Sequence, residues 1–323
     1  MAQGRFLTGS TMGHVARMTA TGALGITFVF LVYAANLFWI SKLGDPRFVA
    51  AIGFAFAIQF FSVSSGVGLL IAATVLVSRT IGQGDPAKAR RQAGSACAFG
   101  LTTQFCMAGM IILFRYEILD LAGAKGETLH LSARYLVLTL PSLSFMVIGL
   151  VASGVLRADG DGKRAMYVTL VSGAIAIFAD PFFIVWLGLG LDGAAISQNI
   201  FRIVMMGTAL FFTTRLHDLI DWPNWSSMRF GFWSFAIIAV PAILTQMATP
   251  FGNYVLTSVL SQFGDEAVAG WAVVSRLTVV TFGGIFALAG AIGGILARTT
   301  GQGGMIVWLR LTVMRWYSVW CTR

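Results

Sequence analysis

The sequence predicts an all-α polytopic membrane protein, and three observations carry that prediction. The 323 residues are 57% hydrophobic with a mean hydropathy of +0.81, and only 11% of them are charged. Apolar runs long enough to cross a bilayer as helices recur along the chain, separated by short polar turns. A soluble domain cannot hide so large an apolar fraction, whereas a protein embedded in lipid does not need to.

About eight spans are predicted, in chain order, at residues 18–41, 48–78, 92–114, 135–156, 165–191, 193–214, 230–264 and 267–297. We expect the Ser/Gly cluster 62–68 to break the second span, and residues 79–91 to form a polar loop. The polar stretch 215–229 predicts a cytoplasmic linker between a bundle at 1–214 and the first two helices of another at 230–297. The tail, 298–323, shows no clean span.

The positions of Lys and Arg predict the orientation. With the N-terminus in the cytoplasm, basic residues concentrate inside, as the positive-inside rule requires. The inside set is Arg5, Arg17, Arg79, Lys88, Arg90, Arg91, Arg157, Lys163, Arg164, Arg215, Arg229 and Arg298, and the outside set is Lys42, Arg47, Arg115, Lys125 and Arg134. The net charge of +9 therefore orients the protein in a membrane and does not indicate nucleic-acid binding.

A short internal repeat predicts two like bundles. The string Leu43-Gly44-Asp45 recurs as Phe263-Gly264-Asp265, and the turn 79–84 recurs at 298–303. Both copies of the first turn fall on the outside, so the repeat is parallel, with its axis normal to the membrane.

Asp180 is the strongest candidate for function, because it is the only acid inside a predicted span and lies near the middle of 165–191. A carboxylate in hydrocarbon costs roughly 3 kcal/mol or more and needs a partner, a proton or a cation. The functional interpretation is a cation site of a transporter. The alternative is a structural acid paired with Arg202 or Arg276.

Proline supports the functional interpretation. Pro181 has no backbone N–H, so the carbonyl of Ile177 one turn back is left as a free acceptor beside the acid. Pro181, Pro141 and Pro241 are predicted to kink their helices and to act as hinges.

Other kinds of site are not indicated. The three cysteines and the three histidines show no metal-ligand spacing, so we expect no metal other than sodium at Asp180. An intramembrane enzyme would need further catalytic residue types at the depth of Asp180, and the spans contain no His or second acid. We therefore expect no enzyme, no cofactor and no nucleic-acid partner.

Three motifs resemble the multidrug and toxic compound extrusion (MATE) family. The loop 156–166, LRADGDGKRAM, resembles the family's turn between its fourth and fifth helices, through Arg157, Gly160, Asp161 and Lys163. The string FADPFFI at 178–184 resembles the fifth-helix signature, and GLDGAAI at 190–196 resembles the start of the sixth helix. The resemblance extends from about Met12 to Leu296.

The resemblance implies a MATE-like fold with one complete six-helix N-terminal bundle and the first two helices of a second. It implies a monomeric antiporter in the cytoplasmic membrane that exports small organic, often cationic, drugs in exchange for protons or sodium. Asp180 matches the family's fifth-helix acid. Asn36 stands where an aspartate is often found, Tyr33 lies one turn earlier, and Gln198 falls near the family's sixth-helix threonine.

These departures favour a single proton on Asp180 over a complete sodium cage, since asparagine carries no titratable proton. Two alternatives stay open. One is a lipid-linked oligosaccharide flippase of related architecture, which would need several cations in its cavity, and only Arg202 and Arg276 qualify. The other is an inactive, truncated transporter fragment.

The truncation hypothesis comes from the string ARTTGQG at 297–303. A codon run for the family's G-Q-N-x-G-A-G turn, read with one base lost, reproduces that string. We therefore expect a frame-shifted, truncated end after about Leu296. The alternative is a true copy of the turn 79–84.

Overall fold

The computed structural model describes residues 11–222, 225–275, 277, 278 and 297, and the described chain is helical without strands. The helices are α1 Thr11–Ser41, α2 Pro46–Gly82, α3 Pro86–Leu113, α4 Arg115–Leu121, α5 Gly126–Asp159, α6 Gly162–Pro181, α7 Gly190–Leu210 and α8 Trp225–Leu260. Two of them continue as π-helices, α6 through Phe182–Trp186 and α7 through Phe211–Leu216. A 3-10 turn, Ser261–Phe263, follows α8, and residues 265–275 are again helical.

Seven of these segments are long and apolar enough to cross a membrane, which confirms the polytopic class among the described residues. They are Met18–Ser41, Pro46–Gly82, Pro86–Leu113, Gly126–Asp159, Gly162–Trp186, Gly190–Leu216 and Gly231–Phe263. The eighth predicted span, 267–297, is helical over 267–275 and lies mostly outside the described residues, as do Arg276 and the tail 298–323. The frame-shift hypothesis falls there too.

Two expectations about the second and third spans are wrong. The loop predicted at 79–91 is helical except for residues 83–85, because Asp85 caps α3 by accepting from Lys88 N at 2.9 Å. Pro86 takes the first helical position, where its missing N–H costs nothing. The cluster 62–68 does not break α2, since Ser65 Oγ bonds the carbonyl of Ser62 at 2.8 Å within the helix.

The predicted linker is also shorter than expected. Residues 215 and 216 still belong to the π-helix that extends α7, and α8 begins at Trp225. The linker lies on the first bundle, because Arg90 forms an ion pair with Asp218 and accepts from Asp221 N at its carbonyl, 3.3 Å away.

Helices α2 and α5 form the centre of the first bundle, and both are largely buried. α2 packs against α3, α5 and α8, while α5 also packs against α3 and α7. α1 lies against α6 on the periphery. Their shared core is built from aliphatic residues such as Ile52, Leu136, Leu140 and Leu156, all at most 1% exposed.

α8 is the first helix of the second bundle, and it packs along α2 through a small residue. A Cβ built on Gly68 would lie 2.8 Å from both Cα and N of Ile243, so only glycine lets the two backbones approach this closely. Pro241 and Pro250 lie inside α8, and Pro141 lies inside α5. The hinge role of these prolines stays a prediction.

The internal repeat has a structural counterpart at its first turn. Gly44 and Gly264 both adopt positive φ, 78° and 95°, and each precedes an aspartate that starts a helical segment. A left-handed residue is available to glycine at little cost, which explains why both copies retain it. The second copy of the 79–84 turn lies outside the described residues.

We expect Gly68→Ala to lower the free energy of unfolding by about 1–3 kcal/mol, because the added methyl overpacks the α2–α8 contact. Gly109→Ala is the matched control, since no atom lies within 4 Å of a Cβ there. The control should be neutral or stabilising by about 0.5–1 kcal/mol. Denaturant unfolding in detergent micelles measures both, and equal effects would contradict the close approach.

Candidate functional site

Asp180 is fully buried, at 0% exposure, inside the first bundle. The expectation that it lies near the middle of its span is wrong, because the span runs from Gly162 to Trp186. Six residues separate it from the end of the span, about 9 Å at 1.5 Å per residue. The acid therefore lies towards the end of the bundle that the positive-inside rule assigns to the outside.

The backbone changes its winding directly after the acid. Pro181 ends α6, and the following segment Phe182–Trp186 is a π-helix, closed by a 2.9 Å bond from Leu187 N to Phe182 O. Proline has no N–H to give the carbonyl of Ile177, so that acceptor lacks its α-helical donor. Single π turns inside helices are frequent at functional sites.

Asn36 on α1 meets the acid directly. Its Nδ2 donates to Asp180 Oδ1 at 2.7 Å, and a longer contact of 3.4 Å runs from the same nitrogen to Ala194 O on α7. Asn36 is itself 2% exposed. One side chain of α1 thus joins the acid of α6 to the backbone of α7, five residues before α1 ends.

Helix α7 contributes the next polar groups. Ser197 and Gln198 follow Ala194 by three and four residues, so they share its face of the helix. Ser197 interacts with the Asp180 carboxyl, but its hydroxyl donates to Ala176 O at 3.4 Å. Sequence reasoning missed Ser197, although this spacing after the GLDGAAI motif pointed to it.

Several atoms at this site are buried without a hydrogen-bond partner among the described residues. They are Asp180 Oδ2 and both amide atoms of Gln198. Buried polar groups are almost always satisfied, by water or an ion where protein offers no partner. The unused carboxylate oxygen of Asp180 and the unused amide oxygen of Gln198 are therefore the candidate ligand set for a proton, water or small cation.

Tyr33 does not join this set, contrary to expectation. Its hydroxyl contacts Met146 Sδ at 3.9 Å, and its ring lies edge-on to Phe56 and Phe201, with centroids about 6 Å apart. The three-residue spacing places Tyr33 about one helical turn from Asn36. The aromatic packing of α1 against α2 and α7 turned its hydroxyl elsewhere.

Arg202 is buried too, at 1% exposure, but its donors go to neutral acceptors. Nη1 bonds Thr139 O at 2.6 Å and Ser142 Oγ at 2.8 Å, and Nη2 bonds Gln59 Oε1 at 2.9 Å. The alternative in which Arg202 pairs with Asp180 is therefore wrong. The other candidate partner, Arg276, lies outside the described residues.

The ligand set suits a single positive charge. It holds one carboxylate with neutral amide, hydroxyl and carbonyl groups, and the described residues contain no cluster of three His, Cys, Asp or Glu that could hold a metal. Divalent cations are usually bound by several carboxylates, whereas one carboxylate balances a proton or a monovalent ion. Sodium fits the oxygen chemistry of Asp180 and Gln198.

The loop motif of 156–166 has a structural role. Gly160, at φ 96°, ends α5, and Asp161 caps α6 by accepting from Arg164 N at 3.1 Å. Asp161 also faces His217 Nε2 at 3.4 Å, which ties the turn to the end of α7. Arg157 is half-buried in the last turn of α5, and Lys163 is exposed. The motif lies at the opposite end of α6 from Asp180.

Comparison with known proteins finds transporters of similar sequence. The MatE family model matches residues 23–182. The FAD transporter of Shewanella oneidensis is 24% identical over 304 residues, covering 92% of this chain and 67% of that protein. Multidrug export protein MepA of Staphylococcus aureus is 25% identical over 260 residues, covering 78% of this chain. The chain spans only 56% of the length of that relative.

Solved structures show the same fold. A MOP superfamily transporter from Pyrococcus furiosus, described as having a binding pocket of reversed polarity, superposes with a TM-score of 0.82 at 23% identity. A multidrug resistance MATE transporter in an outward-facing conformation gives the same TM-score and identity. Each alignment covers 94% of this chain and 68% of the other, consistent with one complete bundle and part of a second.

A double-mutant cycle on Asn36→Ala and Asp180→Ala should give a coupling energy of about 1–3 kcal/mol, because the 2.7 Å bond is buried. Unfolding of the purified variants in detergent measures it. Tyr33→Phe paired with Asp180→Ala is the control, and we expect additivity within about 0.5 kcal/mol. Additive effects in the Asn36 cycle would remove that bond from the site.

Proposed function

Because the chain belongs to the multidrug and toxic compound extrusion (MATE) family, we propose that it works in a cation-coupled antiporter that exports small organic compounds across the cytoplasmic membrane. One observation carries the proposal. Asp180 is fully buried, engages Asn36 through one oxygen, and keeps its other oxygen without a partner among the described residues. Such an atom gains most from an arriving cation.

The coupling step follows from charge. An ionised Asp180 in a water-poor bundle interior attracts a proton or sodium strongly, and binding removes most of its field. Asn36 then no longer faces a full negative charge, which weakens its hold on Oδ1. Release of α1 from α6, at a backbone already lacking one helical bond beside Pro181, is the rearrangement that we assign to coupling.

The fixed charge of Arg202 is compatible with exchange of an ion for a cationic substrate. With Asp180 ionised, the two buried charges sum to zero, and loading Asp180 with a cation leaves the fixed positive charge of Arg202. An organic cation in the same interior is then repelled. Binding of the ion and binding of the substrate thus oppose each other electrostatically, as antiport requires. Multidrug export by the relative MepA agrees with an organic-compound substrate.

A proton is the simpler coupling ion, because Asp180 is the only acid buried inside the described spans. Sodium needs further oxygen ligands, and the buried, unpartnered Oε1 of Gln198 is the candidate on the face of α7 that carries Ala194 and Ser197. Sodium coupling therefore requires the amide oxygen of Gln198, whereas proton coupling does not.

A second candidate is a transporter of anionic compounds, such as the lipid-linked oligosaccharide of a flippase. The observation in its favour is Arg202, a buried cation whose acceptors are all neutral. The FAD transporter among the relatives carries an anionic dinucleotide, which agrees with such a substrate class. Competition between organic cations and organic anions for binding separates the two candidates.

Asp180→Asn should abolish ion-driven efflux of an organic cation such as ethidium, since the amide can neither bind a proton nor balance a cation. The measurement uses vesicles reconstituted with the purified protein, under an imposed pH or sodium gradient. Asp120→Asn is the matched control, an exposed acid on α4. Undiminished efflux by Asp180→Asn would end the proposal.

Gln198→Leu should distinguish the coupling ions. It removes the amide oxygen and keeps the side-chain volume, so sodium-driven efflux should fall at least about tenfold, the effect of roughly 1.4 kcal/mol. Proton-driven efflux should change little. Loss of both activities in a folded variant would instead place Gln198 in substrate binding.

A further inference from the structure

A cavity of about 330 Å³ opens between α2, α3 and α8, away from Asp180. Its size falls within the range of about 300–1,000 Å³ that is usual for small-molecule sites. Basic and polar residues of α3 form one wall, and small or aromatic residues of α2 and α8 form the others. The lining consists of Leu76, Lys88, Arg91, Gln92, Ser95, Ala96, Phe99, Gly231, Ser234 and Phe235.

The mouth of the cavity is positively charged. Neither the Lys88 ammonium nor the Arg91 guanidinium forms a salt bridge with a described residue, and no carboxylate belongs to the lining. Of the neighbouring charges, Asp85 keeps its negative charge while it caps α3, and Arg90 is paired with Asp218. Two cations therefore share an opening with only one nearby carboxylate, Asp85, and the net positive charge favours an anion.

Neutral hydrogen-bond donors line the cavity beside these cations. Gln92 Oε1 accepts from Thr80 Oγ1 at 2.7 Å, which commits the oxygen and leaves the amide nitrogen to donate to a ligand. Ser234 lies across the cavity on α8 and is exposed. Hydroxyl and amide donors beside two cations suit the oxygens of a phosphate diester.

The floor is apolar. Phe99 stacks on Phe235 with ring centroids 5.5 Å apart, and Leu76 lies beside them. Along one side of α3 the residues change from Lys88 and Arg91 through Ser95 to Phe99, over about 16 Å of helix. This gradient from cation to hydroxyl to aromatic ring matches an amphiphile with an anionic head.

The cavity lies at the end of the bundle that is richer in Lys and Arg, which the positive-inside rule assigns to the cytoplasm. The adjoining face of α8 is exposed and apolar, with Trp233 at 72% and Ile237 at 70% exposure. A ligand in the cavity can therefore extend along α8 into the acyl region of the inner leaflet.

We propose that this cavity binds an anionic phospholipid of the cytoplasmic leaflet. Lys88 and Arg91 hold its phosphate, Gln92 and Ser234 bond the head and glycerol oxygens, and the first part of an acyl chain covers Phe99 and Phe235. A soluble phosphate would satisfy the cations but leave the aromatic floor in water. The lipid bridges α3 of the first bundle and α8 of the second.

The test measures phosphatidylglycerol binding by native mass spectrometry of the full chain in detergent, with phosphatidylcholine and inorganic phosphate as comparison ligands. The wild type should bind phosphatidylglycerol in preference to both. Lys88→Gln with Arg91→Gln should weaken that binding about five-fold per charge removed, about 25-fold for the pair. Lys88→Arg with Arg91→Lys keeps both charges and should retain most of the affinity.

The matched control is Arg79→Gln with Arg215→Gln, which removes two exposed basic residues at the same end of the bundle but outside the cavity. It should bind as the wild type does. Equal loss in both charge-removing pairs would overturn the proposal in favour of diffuse attraction. Phosphate binding as tightly as the lipid, or unchanged affinity in the Lys88/Arg91 pair, would overturn it as well. Thermal unfolding verifies that each variant is folded.

Discussion

The first bundle depends on one buried carboxyl group, because Asp180 cannot be left alone in a water-poor interior. Asn36 donates to one of its oxygens at 2.7 Å, Ser197 also interacts with the carboxyl, and through Ala194 the Asn36 amide reaches the backbone of a third helix. Three helices, α1, α6 and α7, thus meet where α1 ends and α7 begins. This arrangement leaves Asp180 Oδ2 buried without a hydrogen-bond partner among the described residues.

A second buried charge is handled differently. Arg202 is neutralised by no acid among the described residues, and its guanidinium instead collects a carbonyl, a hydroxyl and an amide from α2 and α5. Gln59 closes the network by donating to Thr139 Oγ1 at 2.8 Å. Breaking such a network at one member is costly, because the remaining polar groups stay buried without partners. The central α2–α5 pair is therefore fixed in register to α7.

Sequence reasoning found the spans and the acid, because hydrophobic length and a charge inside it are local signals. It also identified Asn36 from the family resemblance, whereas the role of Gln198 stays a prediction. It placed Asp180 near the middle of its span, whereas the span ends six residues after the acid, where the π-helix that extends α6 ends at Trp186. The continuity of α2 through Ser62–Gly68 was missed because serine can bond its own helix, which depends on rotamers and not on residue type. Tyr33 was wrongly predicted at the site and Ser197 was missed. Helical periodicity predicts which face of a helix a residue occupies, whereas packing decides whether its hydroxyl reaches the acid.

The two π-helices have a further consequence for how the chain tolerates change in length. A π turn holds one residue more than an α turn, so losing a residue from Phe182–Trp186 can restore ordinary winding without rotating Asp180. The same loss within α2 would swing every later side chain of that helix by about 100°, carrying its core-facing residues towards lipid. Insertions and deletions among homologous chains should therefore collect at the wide turns that end α6 and α7, while the length of α2 stays fixed.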